Sequence, residues 1–222
     1  MNARCARLAP IMKVRSFPLL LTLLAAQLLA QAPSPLVHAS DLGFTYAIPS
    51  DWQVVDPSAT LPSVQQQVTQ NAGSDDTKKG IGCAQVVLNA RHGNPTSVIV
   101  VMARPFACFQ QEMTDKDLPG FGTGASEGLK QILDITDPVT ASYALGSHNV
   151  WIERSKGTAK ANPEVHFSVE TVCTLLKKAA VCWITTASDD AALQTFEHGA
   201  VALDQDAPTA LVPATAFDKK TP

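Results

Sequence analysis

The chain is predicted to be an α+β protein, built on a central antiparallel sheet of about six to eight strands covered by helices. Three observations predict it. Apolar, β-branched runs arrive in pairs joined by short polar turns, as hairpins do, and strands that arrive as hairpins make antiparallel sheets. Segments of helical period stand between and after these pairs, enough to cover one or both faces. No long Pro/Gly/Ser linker divides the residues from 40 onward, so they read as one domain of roughly 180 residues.

The elements follow in order. Gly43-Phe44-Thr45-Tyr46-Ala47-Ile48 alternates with a period of two and stops at Pro49-Ser50, and Trp52-Gln53-Val54-Val55 resumes, an opening hairpin. Pro62 to Gln70 reads as a short helix, and Gly73 to Gly80 as a loop. Gln85 to Leu88 and Ser97 to Met102 are apolar runs on either side of Arg91-His92-Gly93-Asn94-Pro95, a second hairpin with the composition of central strands. The glycines from Gly120 to Gly124 read as a flexible lead-in to a helix carrying Leu129, Ile132 and Leu133, ended by Asp137-Pro138. Val139 to Leu145 turns at Gly146-Ser147, suited to a type II′ turn, into His148 to Arg154. Val165 to Leu176 and Ala179 to Thr186 make the last hairpin around Lys177-Lys178, and Ser188 caps a closing helix whose stripe is Leu193, Phe196 and Val201. The expected order is β-β-α-β-β-α-β-β-β-β-α.

The N-terminus has the layout of a secretory signal peptide. Arg4, Arg7, Lys13 and Arg15 precede an uncharged run from Ser16 to His38 whose apolar heart, Phe17 to Ala30, is shorter than the roughly 20 residues a membrane helix needs. Cleavage sequences follow at Ala30-Gln31-Ala32 and at Val37-His38-Ala39. The second is preferred, because proline would follow the first, so residues 1–39 are the expected leader, 40–205 the domain and 206–222 a C-terminal tail. Met12 is an alternative start, which would leave Cys5 untranslated.

Removing the leader removes four of the 17 basic residues and none of the 20 acidic ones, leaving a net charge of about −7. An acidic domain without Lys/Arg blocks is a poor partner for nucleic acid or an anionic membrane. Four cysteines remain, Cys83, Cys108, Cys173 and Cys182, an even number in a chain bound for an oxidising compartment. If Lys177-Lys178 are the two loop residues of the last hairpin, Cys173 faces Cys182 at a non-hydrogen-bonded site, with Cα atoms about 4.5 Å apart and within disulfide reach. Cys83 and Cys108 then pair by elimination.

The opening Gly43-Phe44-x-Tyr46-x-Ile48-Pro49-x-x-Trp52, followed by hairpin, helix, antiparallel meander and closing helix, resembles the PsbP-like family over roughly residues 43–204. The family takes its name from an extrinsic protein of the photosynthetic oxygen-evolving complex. The resemblance implies an α/β/α sandwich and an exported, non-catalytic accessory or binding role. It carries over no site residues.

Gly124-Ala125-Ser126-Glu127-Gly128 matches the G-x-S-x-G nucleophile elbow, which makes a secreted serine hydrolase using Ser126 the alternative from another class. The elbow needs a strand directly before it, and Leu118 to Thr123 is not one, so Ser126 reads as a cap or first-turn residue. The histidines share no metal-ligand spacing. A third reading is a structural domain that docks through the apolar residues of its tail, Leu211-Val212-Pro213 and Phe217. The expectation is therefore an exported, monomeric binding or accessory protein with no cofactor, no metal and an unnamed protein or small-molecule partner.

Overall fold

The computed structural model of the protein describes residues 36–56, 83–109 and 112–218. The expected helix over 62–70 and loop over 73–80 lie outside the described residues. Eleven described strands make two sheets. The main one takes β3 (Gln53–Val54), β4 (Gln85–His92), β5 (Ser97–Pro105), β6 (Leu133–Leu145), β7 (His148–Ala159), β8 (His166–Leu175) and β9 (Ala179–Ala187), in the order β3-β4-β5-β9-β8-β7-β6 with every pair antiparallel. The smaller one takes β1 (Leu36–Ser40), β2 (Phe44–Ile48), β10 (Ala200–Leu203) and β11 (Thr209–Ala210), in the order β1-β2-β10-β11. The fold is α+β and antiparallel, as expected.

The two tight hairpins follow from their turns. Gly146 has φ +58° and the serine after it has a negative φ, the backbone of a type II′ turn, and Leu145 pairs with His148. Lys177 and Lys178 connect Leu176, whose N–H donates to Ala179 O, to β9, so Leu175 faces Ala180 and Cys173 faces Cys182.

Alternate residues of the central strands serve two separate cores. One face carries Ile99, Val101, Ile152, Val172, Val181 and Trp183, covered by β2, β10 and helix α2 (Asp190–Glu197). The other carries Trp151, Cys173, Cys182 and Ile184, covered by helix α1 (Leu118–Ser126). Helix α1 lies where a loose lead-in was expected. Leu118, Gly122 and Ser126 form its buried stripe, and Glu127–Gln131 continues it as a 3-10 turn. Burial of Leu118 and Phe121 on the Trp151 cluster offsets three helix-interior glycines, each worth about 1 kcal/mol against alanine. Gly122 is needed there, because a Cβ would overlap the Trp151 ring.

Four other expectations are corrected. Asp137-Pro138 does not end a helix; it is a bulge in β6, two residues opposite Ser155 on an edge strand where proline's missing N–H costs no ladder bond. The strands around Pro49 are not a hairpin, since β2 pairs with β1 and β10 while β3 pairs with β4. The cap of α2 is Asp189, whose carboxylate accepts Ala192 N–H at 2.7 Å, and Ser188 is instead bonded to Ser97. Val201 belongs to β10 and pairs with Tyr46.

The tail is part of the core. Leu211, Val212 and Ala216 are buried, Leu211 N–H donates to Gly199 O, Val212 N–H donates to Glu197 O, and Tyr143 Oη donates to Leu211 O at 2.6 Å. The apolar residues that suggested outward docking through the tail are spent on this domain. Strand β1 overlaps the last four residues of the expected leader and pairs with β2 from Leu36↔Ile48 to Ser40↔Phe44.

Gly122→Ala is expected to destabilise the protein by roughly 1–3 kcal/mol by overpacking against Trp151. Gly120→Ala and Gly124→Ala, whose Cβ positions are open, are expected to be neutral or to stabilise by up to about 1 kcal/mol. Urea denaturation of the three variants checks the contrast, and equal effects at all three positions would contradict the packing described.

Candidate functional site

Ser126 ends α1 with its side chain turned into the helix. Its Oγ donates to Gly122 O at 3.2 Å and Thr123 O at 3.1 Å, and the residue is 6% exposed. The residue lies at a helix C-terminus rather than on a strand-to-helix elbow, and no histidine is bonded to it. The hydrolase alternative loses its nucleophile on this geometry.

The histidines are dispersed. His92 stacks on Trp52 with ring centroids 5.6 Å apart, and His166 Nδ1 lies 3.1 Å from Thr158 Oγ1. His148 Nδ1 donates to Leu175 O at 2.8 Å, which aims Nε2 at Asp204 Oδ2, 3.4 Å away. That contact joins the β6–β7 turn to the end of β10. Asp206 holds the same turn by accepting Ser147 N–H at 2.9 Å, a bond that keeps its carboxyl below the usual carboxylate range. Among the described residues no three groups are placed to hold a metal ion.

Both cysteine pairs stand at disulfide distance. Cys173 and Cys182 have Cα atoms 4.2 Å apart and are fully buried under α1; Cys83 and Cys108 have Cα atoms 5.9 Å apart. Cys108 lies in a 3-10 turn, Phe106–Cys108, that follows β5, and Phe106 N–H donates to Lys178 O.

Phe109, just after that turn, lines a groove of about 450 Å³ with the end of β5 and α1. Its floor is Arg104, the penultimate residue of β5, on the same sheet face as Met102. One Nη2 donates to Cys108 O at 3.2 Å, and the guanidinium carbon stands 4.1 Å from the centre of the Phe109 ring. Its Nε is buried with no acceptor, and among the described residues no carboxylate pairs with it. Burial lowers its pKa, but an arginine stays charged. Phe121 of α1 meets Phe109 edge-on at 6.2 Å, and Met113 adds to the apolar wall. Two acids border the groove. Asp117 is occupied by the turn before α1, accepting Thr114 N–H at 2.8 Å and Thr114 Oγ1 at 2.9 Å, which holds its carboxyl below the usual range; Glu112 is exposed.

A second cleft of about 310 Å³ opens between Lys156, His166 and the start of α2. Its polar groups largely satisfy one another: Thr158 with His166, Ser188 with Ser97, Asp189 with Ala192 N–H. The Arg104 groove differs in holding a cation without a carboxylate partner among the described residues beside an aromatic wall, a combination found at small-ligand sites.

No family model matches the chain, and no curated protein matches it. Among solved structures, the solution structure of cyanobacterial PsbP (CyanoP) from Synechocystis sp. PCC 6803 is similar, with a TM-score of 0.44 and 11% sequence identity, covering 71% of this chain and 82% of that chain.

Sequence reading did not single out Arg104 or Phe121. The available signal was a cation closing an otherwise apolar run, Ser97 to Ala103, followed by Phe106 and Phe109. Ser126→Ala is expected to change stability by less than about 1 kcal/mol, because both carbonyls keep their helix surroundings. A fluorophosphonate probe is expected to leave Ser126 unlabelled in intact-mass analysis, and stoichiometric labelling there would restore the hydrolase reading.

Proposed function

We propose that this chain is an exported, non-catalytic binding or accessory protein, acting as a monomer, whose recognition site is the Arg104–Phe109–Phe121 groove. The observation that carries the reading is the half-buried Arg104 guanidinium, set beside the Phe109 ring with no carboxylate partner among the described residues. A cation without a carboxylate partner, held in place beside an aromatic ring, is a ready donor for an incoming acceptor. The aromatic wall sets the rest of the ligand: an anionic or carbonyl acceptor joined to an aromatic or aliphatic body. Such a group occurs on a small molecule and equally on a side chain or C-terminus of a protein partner. An acidic chain of this kind has no use for nucleic acid.

Export is supported by the charge and hydropathy layout of residues 1–39 and by two cysteine pairs at disulfide distance. No helix among the described residues is long and apolar enough to cross a membrane. A mature chain starting at Pro33 keeps β1, whereas one starting at Ser40 leaves β2 bonded to β10 alone. N-terminal sequencing of exported protein is expected to read one of these two, and material retaining residues 16–30 overturns the export reading. In the same material, non-reducing peptide mapping is expected to join Cys173 to Cys182 and Cys83 to Cys108.

N-acetyl-phenylalanine, which joins a carboxylate to a phenyl ring, is the probe for the groove. A ligand of this size binds in roughly the millimolar range. Amide shifts in a nitrogen–proton correlation spectrum are expected at Met113, Gly120 and Phe121, and are expected to vanish in Arg104→Met. N-acetyl-phenylalanine amide, which keeps the ring without the charge, is expected to bind several-fold more weakly. Shifts that persist in Arg104→Met would move the site elsewhere.

A further inference from the structure

Glu170 lies on the opposite face of the sheet from the groove. It is fully buried near the middle of β8, and among the described residues it is the one charged side chain so enclosed. Its cross-strand neighbours are Arg154 on β7 and Thr185 on β9. Arg154 Nε donates to Glu170 Oε2 at 2.7 Å, while Arg154 Nη2 donates to Glu197 Oε1, at the C-terminus of α2, at 2.5 Å. Phe217 closes the arrangement, its ring centre 4.3 Å from the guanidinium carbon. The remaining oxygen of Glu170, Oε1, is buried without a donor among the described residues, and the Glu197 carboxyl stands beside that of Glu170. From β6, Tyr143 faces the two carboxylates and donates to Leu211 O in the C-terminal segment; burial first, and then the two glutamate charges, push its phenol upward.

Two carboxylates therefore share one guanidinium. With Glu170 protonated, Arg154 and Glu197 balance each other and the cluster is neutral. With Glu170 ionised, the cluster carries a net negative charge, costly at the enclosed Glu170 carboxylate and screened by solvent at Arg154, whose side chain is 39% exposed. Of the two acids, only Glu197 can leave. Glu170 is fixed on a central strand, whereas Glu197 is 17% exposed and sits at a helix C-terminus, where the dipole already disfavours a negative charge. Movement of its helical turn would carry with it the bond from Val212 N–H to Glu197 O.

We propose that the last turn of α2 and residues Leu211–Phe217 form a proton-operated clasp, closed while Glu170 holds its proton and loosened when ionised Glu170 competes with Glu197 for Arg154. Burial pushes the Glu170 carboxyl up to about 7, reinforced by the Glu197 charge and opposed by Arg154. The folded protein thus binds this proton more tightly than the unfolded chain does. The stabilisation is fully present below the ordinary carboxylate value of about 4.5 and is lost as pH rises through about 7. The clasp is closed in mild acid and loosens above neutrality, uncovering Leu211 and Val212, which are otherwise buried.

Hydrogen exchange of the Leu211 and Val212 amides at pH 5.5 and 8.5, corrected for the intrinsic pH dependence of exchange, tests this on the full chain. In the wild type the protection factor is expected to fall by about tenfold at the higher pH, within a linkage ceiling of roughly thirtyfold between the two pH values. Glu170→Gln is expected to hold protection level between the two pH values. If that variant does not fold, Glu197→Gln decides, because it removes the competing carboxylate and should shrink the wild-type step several-fold. Equal protection at both pH values in the wild type, or an undiminished step in either folded variant, overturns the clasp.

Discussion

Strands β8 and β9 lie in the middle of seven, and from Val169 to Thr174 and from Ala179 to Thr185 every residue is buried. Their side chains point alternately into two apolar clusters, so neither face can be left to water, and much of the rest of the chain serves as cover. On one side the cover is α1, which has to approach closely because what it covers, two cysteines and Trp151, gives a shallow surface. The glycine at position 122 follows from that closeness. Poor helix propensity is tolerated because the packing of Leu118 outweighs it, and the local preference of the sequence yields to a tertiary contact.

The other side is covered by pieces drawn from the two ends of the described chain. β2 supplies Phe44, Tyr46 and Ile48, α2 supplies Phe196, β10 supplies Val201 and Leu203, and the last segment supplies Leu211, Val212 and Ala216. Phe44 meets Trp183 edge-on at 5.2 Å, and Tyr46 Oη donates to Phe196 O at 3.1 Å, so the early strand is bonded to the late helix. Residues after 205 are the outermost part of this layer rather than an appendage. The segment is held by the buried side chains of Leu211, Val212 and Ala216, by backbone donors and by the Phe217 ring on Arg154.

The sheet was legible where local chemistry determines it. Two-residue turns at Gly146-Ser147 and Lys177-Lys178 set the register of four strands, and with it the facing of Cys173 and Cys182. It was illegible where a long-range partner decides. The period of Leu129, Ile132 and Leu133 suggests a helix, but Leu133 is claimed by pairing with Ala159, and Ile132 is left exposed between a 3-10 turn and the strand. Gln53-Val54 resembles the return strand of Phe44–Ile48, yet it caps β4 in the other sheet, a choice between two edges that alternation cannot express. The candidate groove was less legible still, since Arg104, Phe109 and Phe121 come from a strand end, a turn and a helix. Ser126, which had a motif to recommend it, is an ordinary helix residue, because a five-residue pattern specifies chemistry only in the backbone setting that exposes its side chain.

Two arginines in the same sheet show how position rather than residue type sets a role. Arg154 has two carboxylates and an aromatic ring, and its charge is over-supplied with partners. Arg104 has one carbonyl and an aromatic ring, and its charge is under-supplied. An over-supplied cation makes its surroundings sensitive to the number of protons present, because each proton removed adds a negative charge that it must balance. An under-supplied cation makes its surroundings sensitive to an acceptor arriving from outside. The two lie on opposite faces of one sheet, served by different covers, α1 over one and α2 with the C-terminal segment over the other. Burial of β8 and β9 on both faces thus keeps the proton-sensitive cluster and the groove physically separate, with a layer of apolar strands between them.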